Sequence, residues 1–97
     1  RVKLKKLRRG HPKKWMVTFP DGDTVQFGAQ GYSDYTLHKD PQRMQRYITR
    51  HKKRENWTKG GIRTAGWWSR WLLWSEPSLQ KAKRFIQNKF GVYITNG

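Results

Sequence analysis

Cysteine is absent from the 97 residues, acids number only 6, and no run of about 18 apolar residues occurs. Without cysteine there is no disulfide framework, no thiolate metal site and no thiol nucleophile. Without a long apolar run no helix of this chain spans a membrane, and no leading apolar segment with a small-residue cleavage site is visible. Hydrophobic residues are scarce too, at 34%. A chain of this length buries ~65% of its unfolded surface, so one small domain with a modest core is what it can build.

Cations and indoles, by contrast, are abundant. Twenty-two Lys and Arg give a net charge of +16, and six of the aromatic residues are tryptophan. Low hydrophobicity with high charge is the signature of disorder, but disordered segments are poor in aromatics. A folded cationic module fits better. Its self-repulsion calls for a negative counterpart: nucleic acid, an anionic membrane surface or an acidic protein surface.

Residues 1–14 hold eight positive charges and no acid. We treat them as a basic arm, separate from a single α+β domain over 15–97. Val2 and Leu4 alternate with lysine, which permits a short edge strand kept from unwanted pairing by its charges. Equally, Lys5, Lys6, Arg8 and Arg9 could lie on phosphates or carboxylates. Trp15, Val17 and Phe19 alternate inward, Pro20–Asp23 is turn chemistry, and Val25 and Phe27 resume the alternation, which predicts a β-hairpin. Tyr32 and Tyr35 are expected to anchor the irregular stretch that follows.

Asp40-Pro41 reads as N-cap and first helical residue of a helix running to about Arg54. Met44, Tyr47, Ile48 and His51 form its apolar stripe. Arg43, Arg46, Arg50, Lys53 and Arg54 form a cationic ridge ~100° or more away, at ~100° per residue. With Lys52, this ridge is a polyanion- or partner-binding candidate, although cations at a helix end are also favoured by the helix dipole. Thr64 can cap a helix over residues 65–74, with Ser69 and Arg70 facing away from its indoles. Trp57 and Ile62 are expected to plug the loop before it. Residues 75–78 start a last helix to about Phe90, closed by Gly91, and residues 92–95 could add a final strand. The expected architecture is α+β: a basic arm and a small antiparallel sheet followed by about three short helices.

Chemistry is poorly supported. His11, His38 and His51 have no metal-ligand spacing, and Ser33, Asp34 and His38 are three common residues rather than a demonstrated triad. No phosphate-binding glycine loop occurs. The expectation is a non-enzyme with no metal, no cofactor and no small-molecule substrate. Trp67, Trp68, Trp71 and Trp74 could stack bases, but their helical spacing favours core or interface packing, as for Trp57. An interfacial belt on a membrane is a further reading.

The stretches FGAQGYSDYTLHKD, RYITRHKKRENWTKGGIRTAGWWSRWLLW and PSLQKAKRFIQNKF carry a resemblance. Over Phe27 to Phe90 the chain resembles small basic, tryptophan-rich proteins encoded by nucleocytoplasmic large DNA viruses of eukaryotes. The resemblance implies no catalytic residues. It implies a minor capsid or cement protein, made in the host cell and held on the inner face of an icosahedral virion shell. Its implied partners are the major capsid protein and other minor capsid proteins, with DNA or anionic inner-membrane headgroups as further counterparts. The alternative expectation is a virion nucleic-acid-binding protein that neutralises packaged DNA.

Overall fold

In the computed structural model, which describes residues 1–96, Val2–Lys6 (β1), Lys13–Thr18 (β2), Thr24–Ala29 (β3) and Ile94–Asn96 (β4) form one sheet. Gly97, the last residue of the expected domain, lies outside the described residues. The strand order is β3-β2-β1-β4. β1 and β2, and β2 and β3, are antiparallel, whereas β4 pairs with β1 in parallel, Val2 opposite Ile94. The sheet is therefore mixed rather than antiparallel.

The first strand corrects the picture of a separate basic arm with an edge strand. β1 is an inner strand, with Leu4 opposite Val17 of β2. Val2 and Leu4 are buried while Lys3 and Lys5 are exposed. The helices supply core residues to the face that holds Val2 and Leu4. An inner strand can thus carry lysine at alternate positions, because its other face meets water.

Between β2 and β3 the hairpin turn closes through Phe19 N–H to the Asp23 carbonyl at 2.8 Å, with Gly22 at φ 96°. Arg63 clamps the turn, its guanidinium 3.0 Å from Asp21 and 2.9 Å from Asp23, and it lies over the Phe19 ring at 4.3 Å. Asp34 caps the short helix Tyr35–His38 (α1), accepting from the Thr36 N–H at 3.0 Å. Tyr35 is half-buried, but Tyr32 is 72% exposed and anchors nothing. Asp40 and Pro41 open Pro41–His51 (α2) as expected, with Asp40 accepting from the Gln42 N–H at 2.9 Å. The regular helix stops at His51, and residues 52–54 continue as a turn.

After a 3-10 turn at Lys59–Gly61, Thr64 caps Ala65–Trp68 (α3), accepting from the Trp67 N–H at 3.3 Å. The expected single helix then widens into a π-helical stretch, Ser69–Leu73. The widening has a packing reason. Trp67, Trp68, Leu72 and Leu73 are the buried residues, and the pairs are separated by five positions, the spacing that a π-turn places on one face. Ser78 caps Leu79–Phe90 (α4), which ends at Gly91 in the left-handed region, φ 71°. The α+β class holds, with four short helices on a four-stranded sheet.

The core is built on the sheet residues Val2, Leu4, Val17, Phe19 and Phe27 together with Trp67, Trp68, Leu72, Leu73, Ala82, Ile86 and Val92. Trp68 donates its indole N–H to the Ile62 carbonyl at 2.7 Å, and its ring stacks on Phe27 at 6.0 Å between centroids. Trp67 and Trp68 are entirely enclosed. Trp57, Trp71 and Trp74 are half-buried, and Trp71 donates to the Trp57 carbonyl at 2.9 Å. Of the expected core or interface anchors, Trp67 and Trp68 are thus core residues, while Trp57, Trp71 and Trp74 keep part of their surface open. Arg70, expected on the opposite side, lies over the Trp71 ring at 4.3 Å and donates to the Trp74 carbonyl at 3.0 Å. Burial lowers its pKa from the ordinary value.

Candidate functional site

α2 contains no acid, and its two ends are treated differently by the fold. The N-terminus is fixed by Asp40. The C-terminal turn gathers Arg50, Lys52, Lys53 and Arg54, where the negative end of the helix dipole favours them. Tyr47 alone among the helix residues is buried. Its ring lies flat on Trp74, 4.4 Å away at an interplanar angle of 1°, and His51 stacks on its own side at 4.3 Å. The helix is thus attached through rings at its middle, which leaves its flanks in water.

That attachment changes the geometry of the ridge. Arg43 and Arg50 lie four residues before and three after Tyr47, so they flank the buried ring at ~40–60° rather than sitting opposite it. They are two helical turns apart, ~10.5 Å along the axis. With Lys13 and Lys14 they line a groove of about 600 Å³ between α2 and the ends of β2 and β3, floored by Tyr47 and Trp74. Arg46, Lys52, Lys53 and Arg54 are exposed beyond it.

None of these six α2 and post-α2 cations is paired with a carboxylate among the described residues. Five of the six acids have partners of their own, and two of these, Asp34 and Glu55, border the groove. Asp21 and Asp23 hold Arg63, and Asp34, buried, holds Lys14 at 3.1 Å. Asp40 caps α2, and Glu55 lies 3.8 Å from His51. The hydrogen bond from Asp23 and the charge of Arg63 hold the Asp21 carboxyl below its usual range. Burial pushes the Tyr47 hydroxyl up to about 12, with the Glu55 charge acting in the same direction. Burial also lowers His51 below its ordinary value, and the neighbouring Arg54 and Arg50 add to this while Glu55 opposes it. His51 is therefore held toward its neutral form, and the surface charge is carried by arginine and lysine.

The remaining basic candidates lie elsewhere. Lys5 is exposed next to Lys3 on the water-facing side of β1, and Lys6 reaches over the Trp15 ring at 6.0 Å. Arg8 and Arg9 are exposed in the connection between β1 and β2, where the Arg8 carbonyl accepts from Gln30 at 3.2 Å. Lys6, Lys14 and Lys39 share a separate cleft beside the start of α4. Lys13 and Lys14 were not among the residues expected at this site; they reach the groove through the folding of β2, and Lys14 is held there by Asp34, twenty residues away in sequence.

Ser33, Asp34 and His38 are not assembled for nucleophilic chemistry. The Asp34 oxygens serve Thr36 and Lys14, and His38 Nδ1 accepts the Asp40 N–H at 2.9 Å. His11 Nδ1 accepts the Lys13 N–H at 3.0 Å. Among the described residues there is no cluster of three or more His, Cys, Asp or Glu that could hold a metal. No helix among them is long and apolar enough to cross a membrane.

These features define a small α+β module with an acid-free cationic helix displayed on an aromatic seat. The chain belongs to a family of unknown function, DUF5754, whose family model matches residues 2–51, the segment from β1 through α2. No curated protein and no solved structure matches the chain.

Proposed function

We propose that the protein is a non-enzymatic structural component of a virion, a minor capsid subunit that docks through the α2 face on acidic surfaces of the major capsid protein, inside the shell. The observation that carries this reading is the set of six cations, Arg43, Arg46, Arg50, Lys52, Lys53 and Arg54, exposed on one acid-free segment without a carboxylate partner among the described residues. Four of the six are arginine, whose planar fork matches a carboxylate in two parallel hydrogen bonds. The resemblance to proteins of large DNA viruses supplies the setting. The buried tryptophans refine the expectation: they stiffen the platform, and the docking contact itself is guanidinium and ammonium. Such pairs set register and partner choice more than raw affinity.

Charge reversal at Arg46→Glu and Arg50→Glu tests the reading. Both positions are exposed, so the fold is preserved. Purified, nuclease-treated shells should lose most copies of the variant while retaining the wild-type protein in icosahedral register beneath the capsomers. Full occupancy by the variant, or release of the wild-type protein with the genome rather than with capsomers, would sink it.

A further inference from the structure

α2 is not the molecule's only cationic surface. α4 also lacks any acid. Its buried stripe is Ala82 and Ile86, with Leu79 and Phe90 packed against the core. Gln80, Arg84 and Gln87, at i, i+4 and i+7, run along a face ~120° from that stripe. β4 lies alongside, and Lys83 Nζ donates to Asn96 Oδ1 at 3.3 Å across the gap. Between helix and strand is an open cleft of about 610 Å³. It is lined by the carboxamides of Gln80, Gln87, Asn88 and Asn96 and by the cations Lys83 and Arg84. Among the described residues no carboxylate and no aromatic ring borders it.

We infer that the cleft between α4 and β4 binds the sugar-phosphate backbone of a double-stranded nucleic acid. This goes beyond the capsid reading and uses different residues. The donor set decides the ligand class. A purely electrostatic surface would use lysine and arginine, of which the chain has many; here neutral carboxamides outnumber the cations. Carboxamides give directed hydrogen bonds without adding charge, and mixed with Lys, Arg and Thr they are the side chains that contact phosphate and sugar oxygens. An acidic protein face offers dense carboxylates and asks for charge instead. The missing aromatic ring argues against single strands, whose binding rests on stacked bases.

Position gives the cleft a consequence. It lies at the β4 edge of the sheet, while the α2 groove is reached from β2 and β3. Three strand spacings, about 14 Å, separate the two edges. One molecule can therefore hold an acidic protein surface on one side and a duplex on the other.

The full-length chain is titrated with a DNA duplex of about 25 base pairs and arbitrary sequence over a range of salt concentrations. The neutral triple variant Gln80→Ala, Gln87→Ala, Asn88→Ala should weaken binding about 10-fold with the log–log salt slope unchanged. Lys83→Gln with Arg84→Gln should make that slope shallower by about 2. Generic attraction between a polycation and DNA would be moved by the second pair of changes but not by the first. Unchanged duplex affinity in the carboxamide variant, confirmed folded by its melting curve, would overturn the assignment. So would tighter binding of single-stranded DNA, or an equal loss of binding to poly-glutamate, which would make the cleft a protein contact. Shell occupancy of the α2 variant reports on the capsid reading separately.

Discussion

Trp68 joins the helices to the sheet, because its ring faces Phe27 and Phe19 while its N–H is bound to the Ile62 carbonyl. Trp68→Ala is expected to cost about 3–5 kcal/mol, a large share of the stability of so small a domain, read by chemical denaturation. Gly61 makes a sharper local demand. A Cβ there would stand 2.0 Å from the Asn56 carbonyl oxygen, whereas one at Gly10 meets nothing within 4 Å. Gly61→Ala should lower the melting temperature and Gly10→Ala should leave it nearly unchanged. Titration of histidine supplies a third residue-level effect. Burial holds both His38 and His51 below their ordinary values. The unfolded chain then takes up protons near pH 6.5 while the folded chain does not, so stability falls as pH drops from about 6.5 toward the folded values. Asp21, also lowered, acts in the same sense at lower pH, through the carboxylate range. His38→Asn keeps an acceptor for the Asp40 N–H and should flatten part of the slope between pH 6.5 and 5 in denaturation curves.

At the scale of elements, what was legible was local. The hairpin at Pro20–Asp23, the caps Asp40 and Thr64, the helix start within residues 75–78 and the stop at Gly91 are written in neighbouring residues, and each is found in place. Thr64→Ala and Ser78→Ala should each cost about 1 kcal/mol in the same denaturation assay. What was not legible depended on distant partners. β1 looks like an edge because its lysines alternate, and its second neighbour, β4, lies more than ninety residues away in sequence. The π-stretch has no propensity signature; it is imposed by the need to turn Leu72 and Leu73 under Trp67 and Trp68. The apolar stripe of α2 faces the molecule as its spacing predicts, with Met44, Ile48 and His51 half-buried beside Tyr47, but that only the Tyr47 ring is buried, flat on Trp74, was not legible. That slender seat has its own prediction. Tyr47→Ala should make the Arg-rich helix the preferred site of tryptic cleavage, while the core of sheet, α3 and α4 resists digestion longer.

For the whole molecule, the excess of cations was evident from composition, but their division between faces was not. The α2 face combines arginines with an aromatic floor, and the α4–β4 face combines carboxamides with two cations. In neither case does the residue count alone separate solvated charge from a shaped surface. A net charge of +16 with few internal ion pairs opposes compaction. Added salt should therefore raise the melting temperature at neutral pH, and a folded-state polyanion ligand should raise it further by mass action. A melting temperature indifferent to ionic strength would contradict that account.

The parallel pairing of β1 with β4 also sets a schedule for synthesis. β1 leaves the ribosome some ninety residues before its partner β4, so the sheet has an unfinished side until residues 94–96 have emerged. Until then Val2 and Leu4 sit at a raw margin that a sister chain could occupy. A nascent chain stopped at residue 93 is the form of this protein most exposed to strand exchange with its own kind.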